Sequence, residues 1–226
     1  MTHAPENARI SPGSARDGEI EIVEEHRVWQ GETAQLFNDL VRFPPRDGAQ
    51  AENRQMRLRR GPTHDDGIVV APVREDHRIV LVRQFRHAAR MWLRELPRGG
   101  RQYGESVRGA AEREVREEIG YEVTATRDLG RVVPDGAQME TVPHIVLASV
   151  RRAGAPDQED TEAIDRIVSY TYSELRSACE RGEIIDGFTL AAVLRLGPYF
   201  QGDVLVIPSE ARDLHVGRAA FPRRSE

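Results

Sequence analysis

Hydrophobic residues recur along most of the chain in short runs or in alternation with polar ones, which is the pattern of β-strands. Two such runs near the start, 19–30 and 34–43, flank Gly31 and predict a β-hairpin. The apolar runs at 67–73 and 78–85 predict two core strands joined by a tight turn. Further strands are predicted at 124–133, 144–152 and 165–172.

One segment follows the helical period instead. At about 100° per residue, Val107, Ala111, Val115 and Ile119 fall on one face, so a helix is predicted over 106–119. Strands outnumber helices and do not alternate regularly with them. The pattern therefore favours an α/β fold built on a mixed sheet.

Two shorter helices and a loop complete the prediction. A helix is expected from Ser173, a suitable N-cap, to Gly182, a suitable stop, and a final helix over 189–200. Residues 44–55 are polar and contain two prolines, so they are predicted to form a loop.

Composition narrows the class of protein. The 226 residues are 39% hydrophobic and 31% charged, which is typical of a soluble globular protein. No apolar run approaches the roughly 20 residues of a membrane helix, and the polar N-terminus lacks the apolar core of a signal peptide. We therefore expect a cytoplasmic protein without a membrane partner.

Charge and cysteine content exclude further classes. A net charge of −5 argues against a nucleic-acid partner. Cys179 is the single cysteine, which excludes a disulfide within the chain and a cysteine metal cluster. All 32 basic residues are arginine, which removes the lysine of a phosphate-binding loop and lysine Schiff-base chemistry.

Changes in composition predict four regions. Residues 1–18 are rich in Pro, Ser, Gly and Ala and predict a disordered leader. Residues 19–60 form a β extension, 61–207 the main domain, and 208–226 a loose tail.

The helix at 106–119 concentrates carboxylates. Glu114 and Glu118 are four residues apart and stack beside the apolar stripe, Glu117 lies one step further round, and Glu112 lies on the opposite edge. Like charges at this spacing destabilise a helix by a few tenths of a kcal/mol per pair, so a cation is expected there. Ordinary pairing with neighbouring arginines is one source, and a hard divalent cation is the other.

The residues around this helix match a known motif. The stretch 99–121 resembles the Nudix box, G-x5-E-x7-R-E-U-x-E-E-x-G-U, in which U is a bulky aliphatic residue, and Tyr121 at the last U is the one departure. The seven fixed positions all match: Gly99, Glu105, Arg113, Glu114, Glu117, Glu118 and Gly120. The resemblance implies a Nudix α/β/α sandwich, here with an N-terminal β-hairpin extension, and hydrolysis of a nucleoside diphosphate linked to another group.

The resemblance also implies a metal site for Mg²⁺ or Mn²⁺, formed by three box carboxylates and the backbone carbonyl before the first glycine. These ligands are Glu114, Glu117, Glu118 and the carbonyl of Arg98. Glu105 is implied either to ligate the metal indirectly or to pair with Arg113 and brace the loop.

A carboxylate must also orient or deprotonate the attacking water. In the ADP-ribose-cleaving group of the family this base often lies on an acidic loop outside the box. The segment 157–164 resembles that loop, which makes Glu162, Glu159 and Asp160 candidates for the base. The alternative for each is an ordinary solvated loop charge.

Residues outside the box resemble the ADP-ribose and nucleotide-sugar pyrophosphatase group. Its R-Q-[YF]-R run matches residues 83–86, and its E-L-P-x-G run matches the segment that begins at Glu95. Either Arg83 or Arg86 could contact substrate phosphates. Glu140 matches the group's glutamate near the substrate, and Trp29 or Phe37 could stack on a base. Core or interface packing is the alternative use of both aromatic residues.

Together these features predict a pyrophosphatase acting on a nucleoside diphosphate sugar, with ADP-ribose cleaved to AMP and ribose 5-phosphate. The group's N-terminal strands pack across a homodimer, so a homodimer is expected. Alternatives within the family are GDP-mannose, ADP-glucose, NADH or an oxidised nucleoside triphosphate. A non-catalytic ADP-ribose-sensing domain would be marked by lost box carboxylates, and RNA decapping by a clustered basic surface; neither feature is present in the sequence.

Overall fold

The computed structural model describes residues 12–60, 64–158 and 163–206. The α-helices in these ranges are α1 (Val107–Ile119), α2 (Tyr172–Glu180) and α3 (Gly187–Leu196). The strands in these ranges are β1 (Glu21–Glu24), β2 (Arg27–Gln30), β3 (Ala34–Arg42), β4 (Glu52–Arg60), β5 (His64–Val73), β6 (Ile79–Arg86), β7 (Met91–Glu95), β8 (Arg98–Gln102), β9 (Tyr121–Arg131), β10 (Met139–Glu140), β11 (His144–Arg152), β12 (Ile164–Tyr170), β13 (Phe200–Gln201) and β14 (Val204–Leu205). No described helix is long and apolar enough to cross a membrane.

The chain divides into two compact units. The first comprises Met1–Gly67, Gly100–Ala110 and Val133–Pro143, and the second comprises Ile68–Gly99, Ala111–Val132 and His144–Glu226. The predicted boundaries at residues 18, 60 and 207 stay predictions. Most of the predicted leader and all of the predicted tail lie outside the described residues.

A five-stranded sheet forms the core of the first unit. Its strand order is β1-β3-β4-β10, and β2 also pairs with β3. β2 and β3 are antiparallel around Gly31, which confirms the predicted hairpin. Along β3 buried and partly exposed residues alternate, so that Gln35, Phe37, Asp39 and Val41 share one buried face.

A seven-stranded mixed sheet belongs mainly to the second unit. Its order is β12-β6-β5-β11-β9, with β7 paired to β6 and β8 to β5. β5 and β11 run parallel, whereas β6 pairs with β12 and β11 with β9 in the antiparallel sense. The predicted α/β fold with a mixed sheet is therefore confirmed.

The core of the second unit lies on both faces of this sheet. Val69, Ala71 and Val73 of β5 pack in one cluster with residues of α2 and α3, such as Leu175 and Ala192. The intervening β5 residues are equally buried, so this strand is covered on both faces. Its nearly continuous apolar sequence is typical of such a strand. Burial of both faces agrees with an α/β/α sandwich.

Two of the differences from the sequence prediction concern β4 and α2. The segment predicted as a loop at 44–55 ends earlier than expected, because β4 begins at Glu52. The side chains of β4 are mostly exposed and lack an alternating apolar pattern. The N-cap of α2 is Thr171 rather than Ser173. Thr171 accepts a hydrogen bond from the Glu174 N–H, and the Glu174 carboxylate accepts one from the Thr171 N–H, which completes a capping box.

Candidate active site

Helix α1 carries the box carboxylates, and its observed range agrees with the predicted one. Ala111, Val115 and Ile119 are buried, as the apolar stripe required. Gly120 ends the helix with φ at +72°, and a side chain there would collide with the backbone of Gly154. The last glycine of the box is therefore needed for the shape of the backbone.

The four glutamates of α1 differ in burial. Glu114 and Glu118 are 5% and 1% exposed, Glu117 is partly exposed, and Glu112 lies on the surface. Burial of two neighbouring carboxylates is costly unless cations or N–H groups compensate their charge. The helical geometry thus separates Glu112 from the other three, as predicted.

Arginine supplies part of this compensation. One terminal nitrogen of Arg113 lies 2.8 Å from Glu114 Oε1 and 3.0 Å from Glu117 Oε2. In the described part of the chain, no three His, Cys, Asp or Glu side chains converge into a metal-binding group. Arg113 therefore links two of the three predicted ligands to each other.

The backbone before α1 is shaped around the same carboxylates. A Cβ atom at Gly99 would overlap the carboxylate of Glu114, so the first glycine of the box leaves the space that this side chain occupies. The Arg98 N–H donates a hydrogen bond to Glu118 Oε1 at 3.2 Å. The predicted donor set of three carboxylates and a carbonyl is all oxygen, a chemistry that fits a hard divalent cation such as Mg²⁺ or Mn²⁺.

Glu105 is used to shape the turn before α1. Its carboxylate accepts the Gln102 N–H at 2.9 Å, and its carbonyl accepts a hydrogen bond from Arg101 at 2.7 Å. These bonds give Glu105 a local bracing role within the first unit. Its predicted pairing with Arg113 stays a prediction.

The candidate base residues Glu159, Asp160 and Glu162 lie outside the described residues. The last described residue before them, Gln158, donates a side-chain hydrogen bond to the backbone carbonyl of Glu118 at 3.2 Å. The chain thus enters the acidic segment from a point bonded to the carboxylate helix.

Both candidate substrate arginines have carboxylate partners. Arg86 forms an ion pair with the fully buried Glu95. Arg83 forms an ion pair with Asp165, and its guanidinium lies 4.4 Å from the centre of the Trp92 ring. Roughly 31% of each arginine side chain remains exposed, so both keep a solvent-accessible edge.

Glu140 and Trp29 belong to the first unit. Glu140 forms ion pairs with Arg57 and Arg59, whose guanidinium groups lie 4.3 and 4.6 Å from the centre of the Phe37 ring. Burial lowers the pKa of Arg57, but its hydrogen bond to Asp39 and the charge of Glu140 outweigh this and raise it. Phe37 is buried beneath these arginines, whereas Trp29 is 53% exposed.

The sequence prediction missed two acidic residues near the first glycine of the box. Glu95 and Asp186 both form ion pairs with the side chain of Arg98, at 2.9 and 3.2 Å. No site role was assigned to either residue from the sequence. The D-x-x-T spacing from Asp186 to Thr189 is a helix-capping signal that the sequence did contain.

Comparison with known proteins identifies relatives over most of the chain. A curated ADP-ribose pyrophosphatase from Mycobacterium tuberculosis is 25% identical over 210 residues, covering 92% of this chain and 98% of the relative. One from Bacillus subtilis is 22% identical, covering 77% of this chain and 91% of the relative. A protein described as a methanol dehydrogenase activator, from Bacillus methanolicus, is 26% identical, with coverage of 71% and 88%.

The fold and the family agree with these matches. A crystal structure described as an ADP compounds hydrolase superposes with a TM-score of 0.66 at 18% identity, covering 80% of this chain and 94% of that one, which shows a shared fold. The model of the NUDIX domain family matches residues 63–187, more than half of the 226 residues. The chain therefore belongs to the Nudix family and is a Nudix hydrolase.

Proposed function

We propose that this protein is a metal-dependent pyrophosphatase that hydrolyses ADP-ribose with one water to AMP and ribose 5-phosphate. The observation that carries the proposal is the pair of buried carboxylates, Glu114 and Glu118, held against the backbone of Gly99 and Arg98. ADP-ribose is the substrate named for two relatives, one of which aligns over 92% of this chain.

The chain's residues divide the work as follows. Nudix enzymes generally use divalent metal ions, and Glu114, Glu117, Glu118 and the Arg98 carbonyl would hold Mg²⁺ or Mn²⁺. A bound cation would supply charge neutralisation for the pyrophosphate and a template for in-line attack by water. In the metal-free protein Arg113 holds the carboxylates of Glu114 and Glu117 close to each other through its two ion pairs.

A loop carboxylate completes the proposed mechanism as the base that takes a proton from the attacking water. The candidates are Glu162, Glu159 and Asp160. The hydrogen bond from Gln158 to the Glu118 carbonyl supports this role, because it ties the start of the acidic segment to the helix of the metal ligands. Glu162→Gln and Glu159→Gln should separate the candidates, since only loss of the base lowers kcat without weakening metal binding.

Substrate contacts are proposed for Arg86 and Arg83, whose exposed edges suit phosphate oxygens. Glu140 and Trp29 are proposed to contribute to the nucleotide pocket. We also propose a cytoplasmic homodimer with no nucleic-acid or membrane partner. The sequence features given above support each of these points.

The decisive variant is Glu118→Gln. Purified wild-type protein with Mg²⁺ should release AMP from ADP-ribose, measured by chromatography. Loss of a ligand should reduce kcat by at least about 100-fold, because even residues that only support metal ligands are worth about 10- to 100-fold. Glu112→Gln, at an exposed position on the same helix, is the matched control and should retain wild-type turnover.

A substrate panel tests the chemical class. ADP-ribose, ADP-glucose, GDP-mannose, NADH and oxidised deoxynucleoside triphosphates should be compared by kcat/KM, with ADP-ribose expected to rank first. Undiminished AMP release by Glu118→Gln would refute the metal assignment. A higher kcat/KM for another substrate would keep the enzyme class and replace ADP-ribose.

A further inference from the structure

The side chain of Arg98 is held by two buried acidic residues from different parts of the chain. One terminal guanidinium nitrogen lies 2.9 Å from Glu95 Oε2 and 3.2 Å from Asp186 Oδ1. Glu95 is 0% exposed and Asp186 6%. The guanidinium plane also lies 4.5 Å from the centre of the Phe188 ring. These contacts leave Arg98 little freedom, since both carboxylate partners are buried.

Asp186 is fixed in turn by the start of α3. Its Oδ2 accepts hydrogen bonds from the N–H and the hydroxyl of Thr189, at 2.9 and 2.8 Å. The Thr189 Oγ1 accepts the N–H of Leu96 at 3.0 Å. Residues at the start of α3 therefore contact the segment 95–98 at two points, the backbone N–H of Leu96 and the side chain of Arg98.

The other side of this segment faces the carboxylate helix. The Arg98 N–H donates to Glu118 Oε1, and the carbonyl of Pro97 accepts the N–H of Val70 at 2.9 Å. The same Arg98 residue thus links two sites, because its side chain meets Asp186 while its peptide group meets Glu118. A shift of the side chain would move the N–H that orients Glu118.

We propose that Asp186 and Glu95 are positioning residues that hold the Arg98 guanidinium and thereby fix the Arg98 peptide against Glu118. This inference rests on the proposed function for its consequence, which is a Glu118 carboxylate preset for metal binding. Groups that orient metal ligands through hydrogen bonds commonly change metal affinity or activity by about 10- to 100-fold when removed.

Asp186→Asn separates this role from ordinary helix capping. Asparagine is as good an N-cap as aspartate, so the bond to the Thr189 N–H is retained. The charge facing Arg98 is lost. We expect Asp186→Asn to weaken Mn²⁺ binding by about 10-fold, measured by titration with Mn²⁺ alone and electron paramagnetic resonance of the free ion.

A second readout follows the peptide group directly. The amide resonance of Arg98 in a ¹⁵N–¹H correlation spectrum of the metal-free protein should shift in Asp186→Asn, because its acceptor Glu118 is no longer held in the same place. With ADP-ribose at saturating Mg²⁺, kcat should fall by about 10-fold while KM changes little. A merely structural role would not produce this pattern.

Thr171→Ala is the matched control. It removes the side-chain N-cap of α2, a helix whose capping box involves Thr171 and Glu174 only. We expect it to lower the Tm by about 2–4 °C and to leave Mn²⁺ affinity and the Arg98 resonance unchanged.

Arg98→Gln gives an independent variant should Asp186→Asn not fold. It removes the guanidinium and keeps the Arg98 peptide and carbonyl, so the same loss of Mn²⁺ affinity is expected. Wild-type Mn²⁺ affinity in the folded variants, together with an unmoved Arg98 amide resonance in Asp186→Asn, would overturn the inference.

Failure of the proposed function would be distinguishable. If the wild-type protein bound Mn²⁺ but cleaved none of the sugar nucleotides, the substrate assignment would fail and the Mn²⁺ titration would still decide the inference. If it bound no Mn²⁺, the metal assignment would fail and the amide shift alone would decide whether Asp186 positions the peptide.

Discussion

At the residue scale, Gly99 shows why the first letter of the box is glycine. Its φ is not in the left-handed region, so the constraint is space and not backbone conformation. A methyl group there would overlap the end of the Glu114 side chain, which is flexible enough to move away. Gly99→Ala should therefore leave the fold intact and displace one predicted ligand.

The expected result for Gly99→Ala is a fall in Mn²⁺ affinity and in kcat of at least about 10-fold, with a change in Tm of no more than a few degrees. Gly154→Ala is the control, because a Cβ at Gly154 would meet nothing within 4 Å. Isothermal titration with Mn²⁺ and thermal unfolding measure the two quantities. Equal Mn²⁺ affinity in Gly99→Ala and wild-type protein would show that the Glu114 carboxylate tolerates the methyl group.

The residue-scale prediction from sequence was good where helix periodicity and motif position coincided. Both separated Glu112 from Glu114, Glu117 and Glu118, and the burial of these side chains follows that separation. The ion pair between Asp186 and Arg98 was not predicted, since 88 positions along the chain separate the two residues and only folding brings them together. Long-range ion pairs leave no periodic trace in a sequence.

At the scale of elements, the polar strands β4 and β8 were not predicted from the sequence. β4 has exposed or half-buried side chains along its length, and so does β8, which contains two adjacent glycines. Backbone pairing with β3 holds β4 in place over nine registered positions. Because backbone hydrogen bonds do not depend on side-chain pattern, such strands cannot be recognised from the hydrophobic periodicity of the sequence.

The antiparallel pair of β9 and β11 carries a pH-dependent contact. His144 Nδ1 lies 2.7 Å from Asp128 Oδ2, and the Gly130 N–H donates to Asp128 Oδ1 at 2.8 Å. Burial raises the pKa of Asp128, but the bonds from His144 and Gly130 outweigh it and hold this pKa below its usual value. A lowered folded-state pKa means that Asp128 stabilises the fold above the unfolded value of about 3.9.

This contribution should be lost as the pH falls through the folded-state pKa. Asp128→Asn is therefore expected to reduce the free energy of unfolding at pH 6 by at most about 1 kcal/mol, since the pair is partly solvent-exposed. The difference from wild type should shrink progressively as the pH falls below the unfolded value of about 3.9, as measured by urea unfolding. The control is Glu122→Gln, whose ion pair with Arg151 is exposed. A difference that stays constant from pH 6 to pH 3 would contradict the assignment.

At the scale of the whole molecule, the first unit presents an apolar row that favours the proposed homodimer. Trp29 pairs with Leu36, Leu36 with Leu58, and Leu58 with Met139, so the four side chains cross four strands on one face. Trp29, Leu58 and Met139 are 53%, 37% and 37% exposed. A contiguous apolar surface of this kind is typical of a protein–protein interface.

We therefore expect Leu58→Glu to convert the homodimer to a monomer, because a carboxylate in the middle of the row would be buried without a partner on association. Size-exclusion chromatography with light scattering at micromolar concentration gives the mass directly. The matched control is Leu194→Glu in α3, a leucine outside this row that is 81% exposed and whose substitution should leave the mass unchanged. If wild-type protein has the mass of one chain, or if Leu58→Glu remains a dimer, Trp29 is better explained as a substrate contact than as part of an interface.

If Leu58→Glu is a monomer, its AMP release separates the two proposed uses of the β extension, dimerisation and substrate binding. A pocket completed by the partner subunit should lose affinity for ADP-ribose on dissociation.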